Sequence, residues 1–201
     1  MRTVILRSFA LVAATTIIIS GIQLSVTTPP ANAERQEADF SLRVFPVAAD
    51  TLRFTDTWGA ARPGGRRHKG TDIVADRGTP ILAVADGVVT EMDYRSTSGY
   101  YLRIEHADGW QTTYLHLNND TYGTDDGQGG VWTAYYPTLT VGTNVFAGDV
   151  IGYVGDSGNS ESTTPNTHFE IRQGDVKINP YPLLDAAWDR EHRFVTDLTP
   201  R

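Results

Sequence analysis

Cysteine is absent from the 201-residue chain, which excludes disulfides, thiolate-held zinc, iron–sulfur clusters and thiol nucleophiles. Any metal must then be held by His, Asp or Glu. Basic charge is also scarce: 17 Lys+Arg stand against 24 Asp+Glu, for a net charge of −7, and no basic run exceeds two residues. That argues against a nucleic-acid footprint, and the bulk charge does not favour an acidic substrate either. In place of long helical patterns the chain has 19 Gly and 10 Pro among many Val, Ile, Thr and Tyr, the composition of short strands and turns. Its length leaves room for one domain plus an export segment.

Residues 1–33 read as a secretory signal peptide. Arg2 and Arg7 precede a largely apolar Phe9–Ile22, and Ala31-Asn32-Ala33 matches a small-x-small cleavage site. The expected mature start is Glu34, and losing two positive charges would take the net charge from −7 to about −9. The alternative is an uncleaved membrane anchor, because the moderately apolar stretch continues to Val26. In both cases the domain faces outside the cell. Residues 34–43 read as a flexible lead, residues 44–185 as the domain and residues 186–201 as a tail.

Along the domain, Val44–Val47 reads as an edge strand, with Pro46 tolerated there. Asp86-Gly87, between β-branched runs at Thr79–Asp86 and Val88–Asp93, predicts a tight hairpin. A second hairpin is expected from Tyr100–Glu105 and Trp110–His116, with Trp110, Thr112, Tyr114 and His116 sharing one face at period two. Val145–Val154 is strand-like on either side of a turn at Gly148-Asp149, and His168–Arg172 is a short strand. Leu183–His192 is expected to form a terminal helix. Asn118–Thr140 and Gly155–Pro165 are long enough to wall a cleft. Asp120, Asp125 and Asp126 do not match the EF-hand ligand pattern and read as a solvated loop.

Five histidines are present. His68 and Asp72 lie four apart, about 13 Å in a regular strand, so a shared ligand role requires the chain to bend at Gly70, whose missing Cβ permits it. His168 and His116 each read equally well as core-edge histidines. His106, in a predicted turn, and His192, near the terminus, are expected to be solvated.

Several ordered motifs raise the first group. They are Phe54-Thr55-Asp56-Thr57-Trp58-Gly59 leading into His68-x-Gly-x-Asp72, Gly78-Thr79-Pro80 followed by Ala85-Asp86-Gly87-Val88-Val89, and Tyr114-Leu115-His116-Leu117. Ala147–Gly155, Ser157-Gly158 and His168-Phe169-Glu170-Ile171-Arg172 complete the set. Together they resemble the lysostaphin-like (LytM-type) zinc metalloendopeptidases of bacterial cell walls. The resemblance implies a mainly β, antiparallel domain of the duplicated hybrid motif type, with cleft-forming loops and a short C-terminal helix. By the same resemblance His68, Asp72 and His168 are ligands of one Zn2+ and His116 is an active-site histidine beside it. The implied substrate is peptidoglycan, in its peptide part, and the implied reaction is zinc-assisted amide hydrolysis. Glu170, at period two from His168, is placed to support it or to sit on the surface.

One position departs from the family, which commonly carries His-x-His where this chain has Asn166-Thr167-His168. Asn166 therefore takes the place of an assisting histidine; its amide can donate to an oxyanion but cannot relay a proton. Losing general acid–base help costs about 10²–10⁴ in rate. Two further readings follow: an impaired family member that binds wall peptide or activates another hydrolase, and a glycan-binding β-module using Trp58, Trp110 and Trp132. No nucleic-acid partner is expected, and membrane contact is expected only if the leader is uncleaved.

Overall fold

The computed structural model describes residues 40–197, with side chains as far as residue 192. The expected signal peptide, its cleavage site and Glu34 lie outside the described residues. In chain order the elements are β1 (Ala61–Arg62), β2 (Arg66–Arg67), β3 (Thr71–Val74), β4 (Pro80–Leu82), β5 (Gly87–Arg95), β6 (Gly99–Glu105) and β7 (Trp110–Leu117). They continue with α1 (Val131–Ala134), β8 (Asn144–Val145), β9 (Val150–Tyr153), β10 (Asn166–Gln173), β11 (Val176–Ile178) and α2 (Tyr181–Asp197). The fold is mainly antiparallel β, as expected. A seven-stranded sheet runs β11-β10-β7-β6-β5-β8, with β3 on the same edge of β10 as β11. β4 pairs with β9, and β1 with β2.

Alternation sets the faces. Along β10, Thr167, Phe169 and Ile171 are buried while Asn166, His168 and Glu170 are partly open, so one face feeds the core and the other is free for chemistry. The core face meets Ile81 and Ile151 of the small ribbon, Leu42 and Phe45 from the N-terminal stretch, and Leu184 and Ala187 of α2. Fully burying side chains of this size stabilises by roughly 1.5–3 kcal/mol each.

Four expectations need correction. Asp86-Gly87 makes no hairpin: Gly87 has no positive φ, which the tight turn demands, and β5 pairs with β6 and β8 while β4 pairs with β9. Instead Gly87 lets strands approach, since a Cβ there would lie 2.5 Å from the Glu105 carbonyl. Val44–Val47 is no edge strand; it makes one bridge, Val47 to Ile81, and is pinned by Phe45 N–H donating to Glu191 Oε1 at 2.6 Å. Leu42 and Ala187, each 1% exposed, join the core from either end. α2 is longer than Leu183–His192 because Asn179 Oδ1 accepts from Tyr181 N–H at 3.0 Å and starts it early. The Gly148-Asp149 turn and the β6–β7 hairpin form as expected, with Gly148 at φ 93°.

His106 is the fourth correction. It is 7% exposed, its Nδ1–H donating to the Asp86 carbonyl at 2.9 Å and its Nε2 accepting from the Thr112 hydroxyl at 2.8 Å. Burial lowers its pKa from the ordinary 6.5, against the pull of Asp86. The unfolded chain therefore binds this proton more readily than the folded one, so stability present above 6.5 is lost as pH falls. Thermal melting should drop between about pH 7 and pH 5, and His106→Gln should flatten that limb. A wild-type melting temperature that stays level over this range would contradict the assignment.

No helix among the described residues is long and apolar enough to cross a membrane. Of the tryptophans, Trp110 stacks on Phe40 (ring centroids 4.9 Å apart) and serves packing, whereas Trp132 is 82% exposed.

Candidate metal centre

β3 and β10 lie antiparallel with Asp72 directly opposite His168, which puts the two side chains on the same open face. His68 precedes β3, and the chain bends at Gly70, as the ligand reading required. The reason is steric: a Cβ on Gly70 would lie 2.5 Å from His168 Nε2 and 2.6 Å from the Phe169 carbonyl. The bend brings His68 Nε2 to 3.1 Å from Asp72 Oδ1 and 3.0 Å from His168 Nδ1, with Asp72 Oδ1 at 2.7 Å from His168 Nδ1.

Outer hydrogen bonds orient both rings. Thr57 O lies 3.1 Å from His68 Nδ1; a carbonyl only accepts, so Nδ1 carries the hydrogen and Nε2 offers its lone pair. Glu170 Oε1 accepts from His168 Nε2–H at 3.3 Å; Asp72 Oδ1, 2.7 Å from Nδ1, is an acceptor as well, so a metal held there would take the place of the Nδ1 hydrogen. Burial opposes ionisation of Glu170, but His168 and Lys177 hold its pKa at about 2, and Lys177 Nζ reaches both its oxygens at 2.6 Å. Burial likewise opposes ionisation of Asp72, yet His168, His68 and Arg62 hold it well below the usual carboxylate range. His68 is lowered by burial; His168 is raised despite burial, by Asp72 and Glu170.

His68 Nε2, His168 Nδ1 and a carboxylate oxygen of Asp72 thus converge on one point, an arrangement that suits a cation. Their mutual separations approach the spacing of about 3.3 Å for two ligands each about 2.0–2.1 Å from a tetrahedral zinc. Neutral imidazoles with one carboxylate are also the donor set that catalytic zinc favours, leaving a coordination position open. The residues fit the metal.

His116 reaches this face by an irregularity. Strict alternation places it with Tyr114, which packs on Phe169 in the core, on the side away from His168. Between β6 and β7, however, Tyr100 pairs with Leu117 and Leu102 with Tyr114, so β7 carries one extra residue there. His116 takes φ 61° and is turned to within 6.2 Å of the His168 ring, centroid to centroid. The shared face expected for Trp110, Thr112, Tyr114 and His116 therefore ends at Tyr114. His116 Nδ1–H donates to the Ser157 carbonyl at 2.9 Å, leaving Nε2 as an acceptor, and burial lowers its pKa. A positive φ outside glycine is a strained conformation typical of working sites.

Asn166 shares the face of His168, but both hydrogens of its amide are engaged, to Ser160 Oγ at 2.9 Å and the Thr164 carbonyl at 3.0 Å. As folded it braces the 158–164 loop, and donation to an oxyanion requires one of those bonds to open. The cleft is a cavity of about 670 Å³ walled by this loop, by the 62–69 segment and by Thr97-Ser98. Gly155–Pro165 is thus a wall as expected. Asn118–Thr140 is not; its 118–125 part lines a different cavity beside Arg77. There Asp120, Asp125 and Asp156 converge, and the Arg77 guanidinium contacts all three at 2.8–3.1 Å, so the cation of this acidic cluster is an arginine.

Three contributors escaped sequence reasoning. Arg62 Nη2 donates to Asp72 Oδ2 at 2.5 Å, although it sits in a stretch whose composition says only flexible loop. Thr57 lies inside a quoted motif without periodicity to mark its role, and Lys177 comes from a neighbouring strand.

An antiparallel sheet with a two-histidine, one-carboxylate cluster on the floor of an open cleft defines a domain of metallohydrolase type. Residues 66–180 match the model of Peptidase family M23, and the chain belongs to that family, the lysostaphin-like group its motifs resemble. It is 36% identical over 146 residues to the DD-carboxypeptidase/endopeptidase Mpg of Neisseria meningitidis serogroup B, covering 73% of this chain and 26% of that protein. It is 31% identical to the murein hydrolase activator EnvC of Escherichia coli, over 70% of this chain and 28% of that one. The chain thus spans about a quarter of the length of these relatives. The catalytic domain of the antimicrobial peptidase lysostaphin from Staphylococcus simulans superposes with a TM-score of 0.53 at 25% identity, covering 67% of this chain and 92% of that domain.

Proposed function

We propose that the protein is an extracytoplasmic zinc-dependent endopeptidase that hydrolyses amide bonds in the peptide part of peptidoglycan, with one zinc ion held by His68, Asp72 and His168. The observation that carries this reading is the cluster itself: three ligand atoms within 4.8 Å of one another, each imidazole also held by an outer hydrogen bond, on the floor of a peptide-sized cleft. Zinc bound there supplies Lewis-acid polarisation of the scissile carbonyl and a water of lowered pKa. The remaining work falls to the chain. Thr57 and Glu170 hold the two imidazoles in their ligating orientation. His116, anchored through Nδ1, accepts or returns a proton at Nε2. Asn166 holds the cleft wall rather than relaying protons.

Zinc titration by calorimetry, with the bound metal counted after dialysis, tests the ligand set. The expected result is one zinc per chain in the wild type and in His116→Ala, with stoichiometric binding lost in His68→Ala and Asp72→Ala. Full binding in His68→Ala would overturn the assignment. A second reading, that the domain binds wall peptide or activates another hydrolase without cutting, is favoured by Asn166 and by the similarity to EnvC. Hydrolysis by the zinc-loaded protein decides between them.

A further inference from the structure

We propose that the cleft selects peptides bearing free carboxylates, through Arg66, Arg67 and Lys69 on its rim. This rests on the reading of the cleft as the peptide-binding site and names the chemistry it prefers. The chain as a whole carries −7, yet the cavity is lined by Arg62, Arg66, Arg67, Lys69 and Lys177 against only Asp72 and Glu170. Both carboxylates are already engaged, Asp72 by Arg62 and Glu170 by Lys177. The rim cations are left over.

Elsewhere arginines meet carboxylates: Arg43 pairs with Asp86, Arg95 and Arg103 with Glu91, and Arg172 with Asp175. Among the described residues no carboxylate pairs with Arg66, Arg67 or Lys69, and all three are exposed. The side chain of Arg66 donates to the Pro63 carbonyl and that of Arg67 to the Gly59 carbonyl, each at 3.2 Å. These bonds orient each guanidinium while using one of its five donors, so most of the fork stays available for a planar carboxylate. Three like charges within four residues repel one another until an anion arrives. A local positive field at a cleft also raises the capture rate of anionic ligands, whatever the sign of the net charge. Bulk composition, which spoke against acidic substrates, therefore misleads at the site that matters.

The test uses two synthetic stem tetrapeptides, identical except that one keeps its internal carboxylates free and the other has them as carboxamides. Fluorescence anisotropy on the metal-free full chain reads equilibrium binding with no turnover. At about 25 mM salt the free-acid peptide should bind about tenfold more tightly. The advantage should shrink to about twofold or less at roughly 0.5 M salt and in the Arg66→Gln/Arg67→Gln/Lys69→Gln variant, whose thermal melt should match wild type. Equal affinities, an advantage that survives the triple substitution, or no binding of either peptide would overturn the proposal. Zinc-loaded protein is then assayed for cleavage of the same pair. Cleavage of both at equal kcat/KM keeps the hydrolase and removes the selectivity; carboxylate-dependent binding without cleavage keeps the selectivity and removes the hydrolase.

Discussion

Gly70→Ala should cost the protein its metal centre although Gly70 offers no ligand. The new methyl group would lie 2.5 Å from His168 Nε2 and 2.6 Å from the Phe169 carbonyl. The second contact is backbone in the β3–β10 ladder and cannot turn aside. Relief therefore needs two movements: the His168 ring turns away, which breaks its contacts with Asp72 and Glu170, and the 68–70 backbone backs off from the Phe169 carbonyl, which draws His68 out of place. Overpacking of this kind costs roughly 1–3 kcal/mol of stability, so the domain should still fold with a lowered melting temperature. Zinc affinity should fall by at least about 10–100-fold, the scale seen when a ligand's supporting contacts are lost, and hydrolysis with it. Gly109→Ala is the control, because nothing lies within 4 Å of a Cβ there and it sits in the β6–β7 turn, at the other end of β7 from His116: its φ of 73° makes alanine lower the melting temperature, but its zinc affinity should equal wild type. Calorimetric zinc titration beside thermal melts reads both effects, and an unchanged affinity in Gly70→Ala would refute the packing argument.

Asn166→His should raise turnover by about 10²–10⁴, the usual contribution of a general acid–base group. Position 166 lies two residues from His168 on the same strand face, where an imidazole reaches the cleft. The gain should appear in kcat more than in KM, because a proton relay acts in the transition state. Against it, the amide bonds to Ser160 and the Thr164 carbonyl disappear, and roughly 0.5–1.5 kcal/mol of stability for each is the expected loss. Steady-state cleavage of a cross-linked peptide measures this. No gain in a variant that still holds one zinc would mean that His116 already supplies all the proton transfer available, or that the domain does not cut.

The strand face of β10, the β6–β7 hairpin, the 155–165 wall and the need for a bend at Gly70 were legible in the sequence because alternation and turn chemistry are local. The convergence of His68, Asp72 and His168 was legible only through ordered motifs, since spacing alone leaves the first two far apart in a strand. What escaped depends on long-range partners. Asp86-Gly87 looks like a hairpin turn until Val145 and Ala147 are known to sit beside it, accepting pairing from Gly87 and donating N–H to Asp86. His116 belongs to the wrong face at period two, and only an extra residue in β7, matched against β6, turns it round. His106 is buried by Phe40, Thr112 and the Asp86 carbonyl, none of them a sequence neighbour. The charge of the cleft likewise reverses that of the chain, because composition does not say where a cation sits.

Peptide release from purified peptidoglycan by the protein with one equivalent of zinc, run beside His68→Ala and His116→Ala, tests the central claim most directly. The account predicts release by the wild type that chelation abolishes, that vanishes in His68→Ala with the metal, and that falls by about 10²–10⁴ in His116→Ala with the metal retained. Wild-type protein holding one zinc yet releasing nothing from several wall types would contradict it and leave a binding or activating domain in its place.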